Sequence, residues 1–366
     1  MAFDTRASVD VLIPAYNAEQ TIEDSMRSIL AQTLTSIRVL VVDDGSSDGT
    51  ATILKQLKAS DSRIEIVQKE NGGIVDALNL GLSMCTADYV ARFDADDISF
   101  PFRLEAQRAY LEENSDCVAV GGMVTHIDAQ GFPLHGLPLP DSPEKACMTW
   151  VPAIEPYLIH PFVMIRRASL QAVGGYRYVA NSEDSDLYWR LSEHGRLHNL
   201  DAVLGKYRVH QTSISSASIV NSRVMAINSQ LAAISAQRRR SGRPDLVFST
   251  TALKAFQDAG SLQRMCALAA HDLAPEELAY LHIAASIKLL ELVGYRPVSL
   301  ELSDCRFIRK SLTAYTELTP QNKKEIDWYV TTAATRLLKK GRYREMSALL
   351  PMNRFHIVLA RLIRGR

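Results

Sequence analysis

Apolar residues come in short runs through the first part of the chain and at intervals of three and four through the second. The run VDVLI (9–13) reads as a buried strand, and IRVLVV (37–42), IEIV (64–67) and YVARF (89–93), each apolar but for one charged residue, read as further strands. Pro14 to Asn17 reads as the exit loop of the first. Asn17 is expected to cap a helix running to about Ala31, with Ile22, Met26, Ile29 and Leu30 on one stripe. Further helical patterns reach to about Ala59 and cover 74–84, so strands and helices alternate, the arrangement of a mainly parallel sheet covered by helices. Later, 160–165 and 203–209 read as strands, and 167–173 as a short helix stopped by Gly174 and Gly175. From Ser218 onward only helical spacing remains. Val220, Val224, Ile227, Leu231 and Ile234 define a helix ending near RRRSGRPD, which reads as a linker, and the pattern resumes in TALKAFQDAG, PEELAYLHIAASIKLLELVG and KKEIDWYVTTAATRLLKKG.

Composition sharpens the division. The net charge is zero over 366 residues, but residues 1–218 hold 18 Lys and Arg against 29 Asp and Glu, whereas 219–366 hold 23 against 12. We therefore expect an α/β domain over 1–217 and an all-helical domain over 218–366. Five cysteines without a C-x-x-C pair argue against a disulfide framework or a thiolate zinc site. The amino terminus lacks a basic segment followed by a long apolar one, and no stretch of about 20 uncharged apolar residues occurs. Neither export nor a spanning helix is expected, and a reducing cytosol fits.

In an open α/β sheet the loops beyond the carboxyl ends of the strands form the binding crevice. Pro14 to Asn17, Asp43-Asp44, Asn71 to Gly73 and Asp94 to Asp97 all fall on that edge. If the chain stays extended past Phe93, Asp94 and Asp96 point one way and Ala95 and Asp97 the other. Two converging carboxylates call for a counter-charge, which a hard divalent cation, Mg²⁺ or Mn²⁺, supplies while leaving positions free for phosphates. The same acids serve equally well as the start of the next helix. Neither G-x-x-x-x-G-K-[ST] nor G-x-G-x-x-G is present, and the first loop, PAYNAEQ, has no glycine, so a phosphate cradle of backbone amides is excluded in its usual forms. SEDSD (182–186) places acids in the first turn of a helix that Ser182 would cap, where the dipole favours them without any further role.

Four segments in order, VDVLIPAYNAEQTIEDSMRSILAQT, RVLVVDDGSSDGT, KENGGIVDALNLGL and ADYVARFDADDISFPFRLEAQ, resemble the nucleotide-binding half of the inverting family-2 glycosyltransferases, over about residues 8–215. The resemblance implies the GT-A (Rossmann-like) fold and transfer of a sugar from a nucleoside-diphosphate donor, a UDP-sugar, to a glycan or lipid-linked acceptor, as in bacterial surface polysaccharide synthesis. It implies that Pro14, Ala15, Tyr16 and Glu19 line the nucleotide pocket and that Asp43 or Asp44 accepts from the base. Gly73 would let the chain pass close to the ligand. Asp94 and Ala95 would meet the donor, and Asp96 would hold the metal. Asp184 takes the part of catalytic base, with Glu183 toward the acceptor, and His210 that of a further metal ligand, suited to Mn²⁺. DLYWRLSEHG contains Arg190 but lacks the Q-x-x-R-W signature of processive members.

Two other functions compete. A sugar-1-phosphate nucleotidyltransferase shares scaffold and metal but wants a glycine-rich basic loop where PAYNAEQ stands. A noncatalytic nucleotide-sugar-binding scaffold would use its basic helices as a working surface. Residues 336–366 hold nine Lys and Arg and one acid, and RFHIVLARLIRGR forms an amphipathic basic helix with Phe355, Val358, Leu359 and Leu362 on one side. Such a helix suits peripheral contact with an anionic membrane at the inner face of the plasma membrane, docking on the acidic first domain, or a solvated face. Balanced overall charge speaks against nucleic acid.

Overall fold

The computed structural model describes residues 7–137, 142–209 and 218–363. His210, an expected metal ligand, lies outside the described residues. The chain divides into two compact units: residues 1–146, 156–177 and 183–210 form the first, and 147–155, 178–182 and 211–366 the second. The passage from sheet to helices thus falls at 210/211, and two short segments from within the first part of the sequence belong to the helical unit.

In the first unit the apolar runs form parallel strands β1 (Val9–Ala15), β2 (Ile37–Asp43), β3 (Ile64–Gln68) and β4 (Tyr89–Arg92), joined by α1 (Ile22–Leu30), α2 (Thr50–Ser60) and α3 (Ile74–Met84). Then follow β5 (Ile98–Ser99), α4 (Arg103–Glu113), β6 (Cys117–Ile127), β7 (Met164–Arg166), α5 (Arg167–Ala172), α6 (Glu183–Leu191) and β8 (Arg196–Arg208). The eight strands lie in one sheet in the order β3-β2-β1-β4-β7-β6-β8-β5, with β7 antiparallel to both β4 and β6, and β5 antiparallel to β8. This is a mostly parallel α/β sheet with flanking helices. Every residue of β1 is buried, and Ile22, Met26 and Ile29 of α1 pack in the same core, as their spacing predicts.

Several expectations at element ends are corrected. Pro14 and Ala15 are the last residues of β1, paired with Val42 and Asp43, not part of a loop. Asn17 does not cap α1: at φ 48° its Oδ1 accepts from the Ser47 amide at 2.8 Å, and the helix begins only at Ile22. Residues 160–162 are a one-turn 3-10 helix because Pro161 offers no amide to a ladder; the strand is 164–166. The β5–β8 pairing brings Ser99 opposite Gly205, where a Cβ would run into the Ile98 carbonyl and the Phe162 ring, so only glycine lets these backbones meet.

The second unit is α7 (Ile219–Arg240), α8 (Ala252–Ala259), α9 (Leu262–Ala269), α10 (Pro275–Tyr295), α11 (Leu302–Ala314), α12 (Pro320–Lys339), α13 (Tyr343–Leu349) and α14 (Phe355–Ile363). Ser218, Ser261 and Thr319 cap α7, α9 and α12. By length and composition α10 would cross a membrane, but it is the central helix of this unit, packed on α7, α11 and α12 with Leu281, Ile283, Ile287 and Leu290 buried. RRRSGRPD is not a free linker, because three of its four arginines are paired: Arg238 and Arg243 with Glu277 at 2.5 and 3.1 Å, and Arg239 with Asp245 at 2.9 Å. The basic α14 packs on α12, with Val358 buried, Arg354 paired to Asp327 at 2.9 Å and Arg361 bonded to Thr332 at 2.8 Å.

Candidate active site

Three parallel strands end side by side, and their exit loops bind one another before any ligand is considered. The amide of Ala18 donates to Thr50 Oγ1 at 2.8 Å, that of Glu19 to Asp48 Oδ2 at 3.1 Å, and Gly49 N to Glu19 Oε2 at 2.7 Å. Glu19 therefore ties the loop after β1 to the start of α2. Tyr16, 54% exposed, stands free at the rim, whereas Pro14 and Ala15 face the core and offer backbone alone.

Asp43 and Asp44, both buried, are held differently. Asp43 accepts from Ser46 N at 3.0 Å and Gln68 Nε2 at 3.1 Å. Asp44 is more fully occupied, receiving Lys69 Nζ at 2.7 Å, Gly72 N at 3.0 Å and Gly73 N at 2.8 Å, and so fastens the NGG turn to β2. Asp43 keeps more acceptor capacity for a base edge. Gly73 sits at φ 88° with nothing within 4 Å of where a Cβ would be, an open approach to the start of α3.

The acids after β4 depart from the alternation expected for them. The chain turns at Ala95-Asp96 instead of staying extended, so one carboxylate oxygen from each of Asp94, Asp96 and Asp97 lies within 4.8 Å of the others. The loop is pinned from both sides. Thr21 Oγ1 donates to Ala95 O at 3.0 Å and Ser25 Oγ to Asp97 O at 2.7 Å, while Arg208 donates through Nε to Asp96 O and through its amide to Asp97 Oδ1, both at 2.7 Å. Asp97 is 1% exposed and its Oδ2 has no hydrogen-bond partner. Burial, then Asp96 and Asp94, hold its pKa well above the carboxylate range. Three hard oxygen donors with one buried lone acceptor fit a Mg²⁺ or Mn²⁺ ion. Ala95 is buried and contributes its carbonyl to the pinning.

Arg92, which sequence reasoning passed over, lies beneath these acids. Its Nη2 is 2.5 Å from Asp94 Oδ1, and its Nε and Nη1 are buried without a hydrogen-bond partner. The charge of Arg92 also reaches His160, Tyr176 and Glu183, so donor-side and acceptor-side residues converge on it. His160 Nε2 and Tyr176 Oη are 2.8 Å apart and both buried; burial, then Arg92, keeps His160 neutral far below its usual range. The available signals were an arginine inside an apolar strand and a histidine before Pro161.

α6 delivers the acceptor-side acids. Its anchor is Asp186, fully buried, accepting from Arg177 Nε at 2.9 Å and Arg190 Nε at 2.8 Å, while Arg190 Nη1 holds the Val173 and Gly175 carbonyls at 2.7 Å each. Glu183 and Asp184 on the same turn are half-buried. Glu183 is pushed up to about 7, by burial first and then by Asp184. Ser182 Oγ donates to the Asn181 carbonyl at 2.8 Å, and Ser185 N donates to Asp184 Oδ1 at 2.8 Å.

An open sheet with nucleotide-type loops at one edge, an acid cluster on that edge and a carboxylate pair close by defines a GT-A transferase. A solved structure carries the same fold: the mannosyltransferase PcManGT from Pyrobaculum calidifontis, determined with GDP-Man and Mn²⁺, superposes with TM-score 0.50 at 17% identity, over 91% of this chain and 87% of that one. The profile of Glycosyl transferase family 2 matches residues 10–174. The putative glycosyltransferase EpsE of Bacillus subtilis is 38% identical over 206 residues, 55% of this chain and 72% of that protein. The O-antigen biosynthesis glycosyltransferase WbnJ of Escherichia coli is 29% identical over 224 residues, 58% of this chain and 83% of that protein. The chain belongs to glycosyltransferase family 2.

Proposed function

We propose that the protein transfers a sugar with inversion from a nucleoside-diphosphate donor, a UDP-sugar, to a hydroxyl of a glycan or lipid-linked acceptor in surface polysaccharide synthesis. The observation that carries this reading is the cluster of Asp94, Asp96 and Asp97, with Asp94 paired to Arg92, together with Glu183, which lies beside Asp184 and feels the charges of both Arg92 and Asp94. Single displacement needs these on opposite faces of the sugar, one toward the leaving diphosphate and one toward the attacking hydroxyl.

Asp94, Asp96 and Asp97 would hold Mn²⁺ or Mg²⁺, which when bound supplies positive charge to the departing diphosphate. Asp43 accepts from the base, Tyr16 covers it, and the open approach at Gly73 admits the ribose and phosphates. Asp184 takes the proton of the acceptor hydroxyl as its oxygen bonds to the anomeric carbon and the bond to the diphosphate breaks. Glu183, which retains its proton toward neutrality, donates a hydrogen bond to the acceptor and relieves the repulsion beside Asp184. Support for a nucleotide-sugar donor comes from family membership and from the GDP-Man bound by the fold relative.

The test is transfer or donor hydrolysis with Mn²⁺ across a panel of nucleotide sugars. Asp184→Asn should lower turnover by about 10²–10⁴-fold while the donor still raises the melting temperature. Asp96→Ala should lose both turnover and the Mn²⁺-dependent part of that stabilisation. Full turnover in Asp184→Asn would remove it from the role of base.

A further inference from the structure

In the second unit, α11 and α13 pack against each other and leave a groove of about 820 Å³. Positions 306, 309, 310 and 313 share one face of α11, and 344 and 347 share one face of α13, because residues three and four apart are neighbours on a helix. The groove is therefore lined by Arg306, Arg309, Lys310 and Arg344, with Thr313 and Ser347, whose hydroxyls donate to the Arg309 and Arg344 carbonyls and keep their oxygens as acceptors, and no acid among its lining residues. All four cations are exposed. Arg309 reaches across the groove, Nη1 to the Ser347 carbonyl at 3.4 Å. Among the described residues none of the four is in an ion pair: Glu345, the acid of α13, is taken by Arg342 at 2.8 Å, and Asp304 of α11 is buried against Arg223 at 2.7 Å.

An ordinary solvated helix surface mixes signs, as the paired RRRSGRPD segment of this unit does. Four like charges in one concavity repel one another, and a ligand of opposite sign relieves that cost. Guanidinium forks match carboxylate and phosphodiester oxygens, and neighbouring hydroxyls match those of a sugar. A surface built to lie on lipid would carry several aromatic or long apolar side chains around its cations, whereas the lining here has no aromatic residue and adds one leucine, Leu302, beside Ala314 and Ala348. We propose that this groove binds a segment of an acidic glycan, the acceptor or product chain of the transfer. The choice of a glycan rests on the transferase reading above; the binding is measured without donor or divalent ion, so the two stand or fall separately.

The experiment titrates the full chain with oligogalacturonate, with neutral dextran, and with phosphatidylglycerol vesicles. Oligogalacturonate should bind, more weakly as salt rises, and dextran should not. The double variant Arg306→Glu/Lys310→Glu should weaken that binding by about tenfold or more with an unchanged melting temperature, since both side chains are exposed. Asp184→Asn should bind as the parent does. Unchanged affinity in the double variant, equal binding of dextran, or binding to the vesicles alone would overturn the proposal. Retained transfer by Asp184→Asn would instead strike at the catalytic assignment and leave the groove measurement intact.

Discussion

At the scale of single residues, the site works by placing charge where water is scarce. Glu183 is the clearest case. Its folded-state pKa rises from 4.5 to about 7, so between those values the folded chain keeps a proton that the unfolded chain has released. Stability from this group therefore falls as pH rises through that window. Glu183→Gln should flatten the decline in melting temperature between about pH 4.5 and 7, measured without nucleotide or divalent ion; an unaltered profile would show that the burial of Glu183 carries no such cost. The acids were legible in the sequence because they interrupt apolar runs at strand ends. Arg92, His160 and Tyr176 were not, since a lone arginine in a strand carries no sign of which distant residues will surround it. Alternation turns Asp97 away from Asp94 and Asp96 because it assumes an extended chain, and the turn at Ala95-Asp96 breaks that assumption.

At the scale of elements, α6 is held through its interior. Asp186 neutralises Arg177 and Arg190, and Arg190 in turn secures the carbonyls after α5. Truncating the acid removes the buried carboxylate that the two guanidiniums share. Asp186→Ala should cost about 3–5 kcal/mol in urea unfolding and slow transfer as the first turn of α6 loses its seat. A loss well under 1 kcal/mol would mean that α6 is fixed by apolar packing alone. In SEDSD the pattern shows a helix start and three acids, but not which acid faces inward. Asp186 shares its face of the helix with Arg190, four residues on, and α6 is buried all round from Ser185 to Leu191, so its carboxylate meets guanidiniums instead of water.

At the scale of the whole molecule, sequence separates sheet from helices well, and the two interleaved segments are what it misses. Val151 and Ala153 are buried in the helical unit, where Ala153 N donates to Gln230, Tyr280 to the Trp150 carbonyl, and Lys288 pairs with Glu155 at 3.1 Å. Nothing local marks residues 147–155 for that destination, because their partners follow far downstream. A chain ended after residue 217 would bring these apolar residues without their partners. It should bind a hydrophobic dye and elute as aggregate in size-exclusion chromatography, even though all eight strands are present; a monodisperse, cooperatively melting fragment would contradict this.

The same threading sets a schedule for biosynthesis. A ribosome releases β8 before it has made α7, α10 or α12, so the eight strands exist while two of their connecting loops still lack the surfaces that receive them. Folding of the nascent chain cannot be a simple succession of amino-terminal then carboxyl-terminal domains. Residues 147–155 remain open to chaperones until α12, whose Asn322 and Glu325 bond Val151 and Trp150, has left the exit tunnel.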